Sequence, residues 1–196
     1  MDERLQQQLA FALEIDKEKS VYRQTHLSGH GRNENDAEHA WHMAIMCYLL
    51  REYANVPIDL GRAMLMCLIH DVVEIDAGDT YAYDAEGLAT QAAREEAAKQ
   101  RIFGLLPEDQ AAELAGLFDE FEAWSTPEAR FAHAMDNVQP LMLNDANEGD
   151  DWASHGVTAE QVYGRQRKTA IGSQTLFDEV VDPTIKRHVE MGTIRP

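Results

Sequence analysis

The chain has 196 residues, 44% hydrophobic and 27% charged, with 35 acidic residues against 17 Lys and Arg and a net charge of −18. That length supports one substantial core without calling for a second domain, and the acidic balance argues against nucleic-acid polymers as partners. No apolar run approaches the ~20 residues of a membrane span, and the start Met1-Asp-Glu-Arg lacks the basic and apolar regions of a secretion signal, so a cytoplasmic protein with no membrane partner is expected.

Leu5, Leu9, Ala12 and Leu13 recur at helical spacing and predict an amphipathic helix from about Glu3 to Lys19. Ser20 to Asn33 follows without a single acidic residue. It carries Arg23, His26, His30 and Arg32, with Gly29 and Gly31 as loop signals, and such an island in an acidic chain suits a small anion such as a phosphate monoester. Asn35 and Glu38 form a capping box that starts a second helix. Its stripe, His39, His42, Met43, Met46, Leu50 and Tyr53, points His39 inward.

After Pro57 a third helix, with Leu65, Leu68, Ile69 and Val72 on its apolar face, is expected to carry His70 and Asp71 and to end near the Asp76 to Gly78 turn. Tyr81 to Leu88 reads as a loop, Gln91 to Leu106 and Pro107 to Trp124 as two helices, and Thr126-Pro-Glu as the start of another leading into Phe131, Met135, Val138 and Met142. An acidic break from Asn144 to Asp151 precedes Thr158-Ala-Glu-Gln161, the capped start of a closing helix. Cys47 and Cys67, both in apolar helical patterns, read as buried reduced thiols. With no strand-like alternation, the fold class expected is all-α, a compact multi-helix bundle in a single domain over residues 1–196.

The chemistry concentrates around His70 and Asp71, an imidazole and a carboxylate inside an otherwise apolar run. Burying both is costly unless each finds a partner, and a divalent metal would serve both. Glu74, one turn on, adds a potential base on the same side. Asp136, beside Ala132 and Met135, is a further carboxylate on an inward stripe. Pro140 cannot donate to the Asp136 carbonyl and predicts a kink at that point. Among the other histidines, His42 reads as a packed neighbour of the site and His133 as a partly exposed helix residue. His155 and His188 show no pattern, and Trp124 and Trp152 read as core or subunit interface.

His39, then His70-Asp71, then Asp136 resemble the H…HD…D signature of the HD-domain metal-dependent phosphohydrolases. The stretches Glu34-Asn-Asp-Ala-Glu-His39, His70-Asp-Val-Val-Glu74, Gly78-Asp79 and Thr126-Pro-Glu-Ala-Arg-Phe131 are similar to the single-domain branch of that family. This branch holds the bacterial 5′-deoxynucleotidases of the YfbR type and the HD-domain-containing protein 2 group, and the similarity runs from about Arg23 to Tyr163. The resemblance implies that His39, His70, Asp71 and Asp136 hold one divalent metal per chain, of Mn, Co, Fe, Zn or Ni. It implies that Glu74 and Asp79 handle the attacking water and the leaving-group proton, and that Arg23 grips the substrate phosphate, with Arg32 as a second phosphate contact.

The implied function is a metal-dependent phosphomonoesterase of a small phosphorylated substrate, a nucleoside or deoxynucleoside 5′-monophosphate first, and a homodimer. Two departures bear on the substrate: Gln24 stands where the deoxynucleotidases place Trp, and Asn-Val-Gln-Pro follows Asp136. Two alternatives keep the metal set. One is a hydrolase of signalling nucleotides or a di-iron oxygenase; the other is a non-catalytic module stapled by its ion.

Overall fold

The computed structural model describes residues 2–81 and 85–196 and is built almost wholly of helices. Helix α1 (Glu3–Glu14) runs into a 3-10 turn (Ile15–Ser20), close to the expected span. Its apolar stripe is less sheltered than the pattern implies: Leu13 is 73% exposed, and Phe11 makes the inward contact, on Phe103.

The acid-free island folds into something the sequence did not announce, a small antiparallel hairpin of β1 (Tyr22–His26) and β2 (Asn33–Asn35). Period-2 alternation cannot reveal strands of five and three residues with a bulge between them. Gly29 and His30 take positive φ in the connecting loop, which Leu27 closes by donating its backbone N–H to the Arg32 carbonyl. Asn35 ends β2 and caps α2 (Asp36–Leu50) with the expected box: its side chain accepts from the Glu38 N–H while Glu38 accepts from the Asn35 N–H.

Helix α3 (Leu60–Ile69) starts at Asp59, whose carboxylate accepts from the Arg62 N–H, and stops earlier than the pattern predicts. His70 caps its C-terminus. A tight turn follows, in which the Asp71 carbonyl accepts from the Glu74 N–H, and α4 (Glu74–Ala77) begins. Gly78 leaves α4 with φ +74°, a conformation that favours glycine. Of the expected loop Tyr81 to Leu88, Tyr81 is outside any helix, residues 82–84 lie outside the described residues, and α5 (Ala85–Phe103) already covers 85–88. Pro107 stands just ahead of α6 (Glu108–Glu122).

The central element is α7 (Pro127–Ala146), capped by Thr126 with Pro127 in its first turn. It packs against α2, α3, α6 and α10 and carries the inward side chains Phe131, Met135, Val138 and Leu141. Pro140 lies inside the helix without ending it. The expected break after Asn144 shrinks to Asn147–Gly149 before α8 (Asp150–His155). The capping box at Thr158 is present, but α9 (Ala159–Gln166) does not close the chain. Helices α10 (Thr169–Gly172) and α11 (Gln174–Leu176), a π-helical turn (Phe177–Val181) and α12 (Asp182–Met191) follow. Arg195 then returns to pair with Val157 and Ala159. No helix among the described residues is long and apolar enough to cross a membrane.

Candidate metal centre and active site

The inner face of α2, the end of α3 and the middle of α7 meet at His39, His70, Asp71 and Asp136. Each imidazole is held by its inner nitrogen. His39 Nδ1 lies 2.8 Å from Gln139 Oε1, and the Gln139 amide nitrogen donates to Glu34 Oε1 at 2.7 Å, which fixes the amide's orientation. His39 Nδ1 therefore carries the proton and Nε2 the lone pair. His70 Nδ1 likewise donates to the Cys67 carbonyl at 2.9 Å, leaving Nε2 outward.

Both Nε2 atoms face carboxylates. His39 Nε2 is 3.2 Å from Asp136 Oδ1 and 3.9 Å from Asp71 Oδ2; His70 Nε2 is 3.1 Å from Asp71 Oδ1 and 4.0 Å from Asp136 Oδ1. Ligands bound at about 2.0–2.2 Å around one ion stand at such spacings. His70 Nε2 is buried with no hydrogen-bond partner, and a lone pair aimed at a carboxylate is repelled unless a cation stands between them. Burial would lower the His70 pKa, but the charge of Asp71, with Asp136 behind it, lifts it to about 9. The pocket asks for positive charge at that nitrogen. Two nitrogens and two carboxylates without a thiolate fit Mn, Co, Fe, Ni or Zn. His39, His70 and Asp136 bring ligand atoms within 4.8 Å of one another, and Asp71 adjoins them while also clustering with Asp36 and Glu74.

The HD domain family profile matches residues 15–177. The chain belongs to the HD domain family. Human 5′-deoxynucleotidase HDDC2 (Homo sapiens) is 32% identical over 120 residues, 61% of this chain and 56% of that protein. The zebrafish protein of the same name (Danio rerio) is 29% identical over 109 residues, 56% and 53% respectively. The chain thus spans little more than half the length of these relatives. A crystal structure of a predicted metal-dependent phosphohydrolase from Magnetospirillum magnetotacticum MS-1 superposes with a TM-score of 0.94 at 46% identity, covering 98% of this chain and 96% of that one.

Around these four side chains, the groups differ in what they can reach. Arg23, from β1, donates through Nη1 to Asp71 Oδ2 at 2.6 Å and stands 3.4 Å from Asp36 Oδ1. Burial weakens its charge, but Asp71, Glu74 and Asp136 raise its pKa and keep it protonated. Glu74 is buried, with Oε2 unpartnered, and burial together with the Asp71 and Asp36 charges holds its carboxyl well above the usual range. Asp79 is also raised, by burial first, against the opposing charge of Arg23. Asp36, on the first turn of α2, is pushed to about 8 by burial and by Asp71. The site thus sets Asp71 and Asp136, held below the usual range, beside three carboxyls raised by burial.

A cavity of about 320 Å³ opens over His70, Asp71, Glu74 and Asp136, walled by Arg23 and Arg165. A second chamber shares Arg23, Asp79, Thr80 and Arg165 and continues over Trp152, Tyr81 and His155, whose rings lie 4.9 Å apart. Arg32 does not reach either chamber: its guanidinium is bound by Glu38 and the Asn33 carbonyl on the outer face of the hairpin. His26 is tied to Asp151 through its ring and backbone N–H, and His30 to Asn147 and Asp150, so both dock the island on α8. His42 abuts Gln139. His133 is not partly exposed as expected; it is buried between the Phe121 and Trp124 rings, each 3.7 Å away, and bonds to the Phe121 carbonyl.

The sequence reading missed Gln139, Asp36 and Arg165. Gln139 carried a signal, standing three residues after Asp136 on the same helix face, and Asp36 stands three before His39. Arg165 lies beyond the signature and had none.

Proposed function

We propose that the chain is a metal-dependent phosphomonoesterase of small phosphorylated metabolites, a (deoxy)nucleoside 5′-monophosphate first among them, working as one domain over residues 1–196 with one divalent ion per chain. The observation that carries this reading is the convergence of two Nδ1-anchored imidazoles and two carboxylates on a cavity that also holds Arg23, Glu74 and Asp79. The HDDC2 proteins named 5′-deoxynucleotidase, and the bacterial structure named a metal-dependent phosphohydrolase, support it.

A divalent cation held by His39, His70, Asp71 and Asp136 would polarise a phosphate oxygen and acidify water. Arg23 neutralises the phosphate charge from the β1 side while steadying Asp71. Glu74, whose pKa is raised by burial and by Asp71, accepts a proton from the attacking water more readily than an ordinary carboxylate. The water oxygen bonds to phosphorus as the ester P–O bond breaks, and Asp79, whose hold on a proton is strengthened by burial, is the group that gives a proton to the departing oxygen. The second chamber, with aromatic and apolar walls, suits the nucleoside leaving group.

As to assembly, α2 carries a run of exposed apolar side chains. Trp41, Ile45, Tyr48 and Leu49 form an uncharged stripe, 43–62% exposed, on a chain of net charge −18, and a second copy of the chain is the occupant we assign to it. Two buried free cysteines agree with a cytoplasmic location. The test is phosphate release across a panel of 5′-nucleotides and sugar phosphates with Mn²⁺, Co²⁺, Ni²⁺ or Zn²⁺ added. Turnover led by nucleoside monophosphates is expected; a folded, metal-loaded protein that turns over none of them overturns the proposal.

A further inference from the structure

Arg165 is placed as firmly as any residue of the signature, by different means. The Thr158–Gln161 capping box sets the start of α9, and its rotation is set by buried Val162 and by Gln166, whose amide donates to the Asn137 carbonyl at 2.7 Å. Between those anchors, Arg165 faces the site and lines both chambers.

The two arginines of the site are engaged differently. Arg23 is 11% exposed and committed to Asp71, with Asp36 behind. Arg165 is 31% exposed, and its polar contact among the described residues is a long 3.4 Å approach of Nη2 to Asp136 Oδ2. A guanidinium whose role was to neutralise Asp136 would take the short bidentate geometry that this pair favours. Arg165 instead keeps most of its five N–H donors uncommitted, over a cavity whose walls include Asp71, Glu74, Asp79 and Asp136. A phosphate dianion entering such a cavity needs cations on more than one side. Lys168, on the following turn, lines the same chamber and adds to that field.

We propose that Arg165 is a phosphate-binding residue of this site, the second arm of a clamp opposite Arg23. The assignment deepens the phosphomonoesterase reading and rests on it for the identity of the reaction, not for the binding of the anion.

The test titrates inorganic phosphate into the full-length, Mn²⁺-loaded protein by calorimetry, with metal content measured on the same samples. Arg165→Gln is expected to keep its metal and weaken phosphate binding by about 10- to 100-fold, the scale of lost charged hydrogen bonds, with Arg165→Lys in between. Arg167→Gln, which removes an exposed charge stacked 5.9 Å from the Tyr163 ring, serves as the control for general electrostatics and is expected to bind as the natural chain does. In turnover assays the Arg165→Ala loss is expected to recover on adding guanidinium ion, which a structural role would not allow. Unchanged phosphate affinity in Arg165→Gln overturns the assignment, and so does a loss that tracks loss of metal or is matched by Arg167→Gln. A natural chain that hydrolyses no phosphomonoester, but binds phosphate through Arg165, refutes the functional reading and leaves the clamp standing.

Discussion

Gln139→Met is the sharpest probe of the metal centre, because it keeps side-chain length while removing both polar roles of a fully buried amide. In the natural chain the Gln139 carbonyl takes the His39 Nδ1–H and its nitrogen serves Glu34. Without it, two buried groups lose partners at about 1–3 kcal/mol each, and nothing prevents His39 from moving its proton to Nε2, the atom that must present a lone pair. Outer partners of ligating histidines set metal affinity by about 10- to 100-fold, and that loss is expected here, measured by competition with a chelator of known affinity. The metal-free protein should also melt lower, by roughly 4 °C or more, since each kcal/mol shifts a domain of this size by about 2–4 °C. Gln139→Glu separates the two roles: it still accepts from His39, so metal affinity should survive, but it sets a carboxyl against Glu34. A Gln139→Met protein that binds metal as tightly as the natural chain refutes the argument that this amide fixes the ligand's tautomer.

Glu74→Gln and Asp79→Asn should retain metal and lower phosphate release by about 10²- to 10⁴-fold, the range for general acid–base groups; loss of metal in either variant would instead make that residue a ligand. Glu18, in the 3-10 turn, is held up at about 7 by burial and then by the Asp71 charge, above its ordinary value of 4.5. Its contribution to stability is therefore complete below pH 4.5 and lost as the pH rises through about 7; Glu18→Gln should flatten this stretch of the melting-temperature profile, and an unaltered slope would count against it. Gly172→Ala should destabilise by about 1–3 kcal/mol or more on thermal denaturation. Its Cβ would lie 2.1 Å from the Arg130 carbonyl oxygen, where α10 meets α7 backbone to backbone. Ile45→Glu with Leu49→Glu should convert a dimer to monomers in light scattering without loss of metal; a natural chain that is already monomeric refutes the α2 interface.

Much of the candidate site was legible because the positions that converge on it obey helix periodicity. His39 three residues into the stripe of α2, and Asp136 beside Met135 on α7, follow from the i, i+3, i+4 rule once the apolar face is known. The end of α3 was not legible. Cys67 to Val73 keeps an apolar pattern straight through, but the chain turns at His70, and that turn gives His70, Asp71 and Glu74 separate directions inside one pocket. Pattern reading cannot see a helix end that no glycine or proline marks. Pro140, which looked like a kink or a stop, sits within α7 because tertiary contacts on both sides hold the helix together. The hairpin was hidden for the converse reason. Its pairing depends on Asn33 donating from its side chain to the Arg23 carbonyl as much as on any alternation.

The roles of the acids follow from which cation each one touches. Asp36, Asp71, Glu74, Asp79 and Asp136 share one poorly solvated pocket, and carboxylates so close cannot all ionise. Burial raises every one of them; the outcome is decided by what opposes it. Asp71 has His70 and the Arg23 guanidinium at 2.6 Å, and Asp136 has Arg165, so both stay below the usual range, as the proposed ligand role requires. Glu74 and Asp36 receive the repulsion of Asp71 with too little from Arg23 to offset it, and Asp79 is left raised as well, so these three bind a proton more readily than ordinary carboxylates. A swap of partners would swap the duties. Arg23→Met, by removing the cation bonded to Asp71 at 2.6 Å, should therefore weaken metal retention as well as phosphate binding, whereas Arg165→Gln, which removes only a 3.4 Å approach to Asp136, should weaken phosphate binding far more than metal retention, and the contrast between the two variants separates support of the proposed metal site from contact with the substrate.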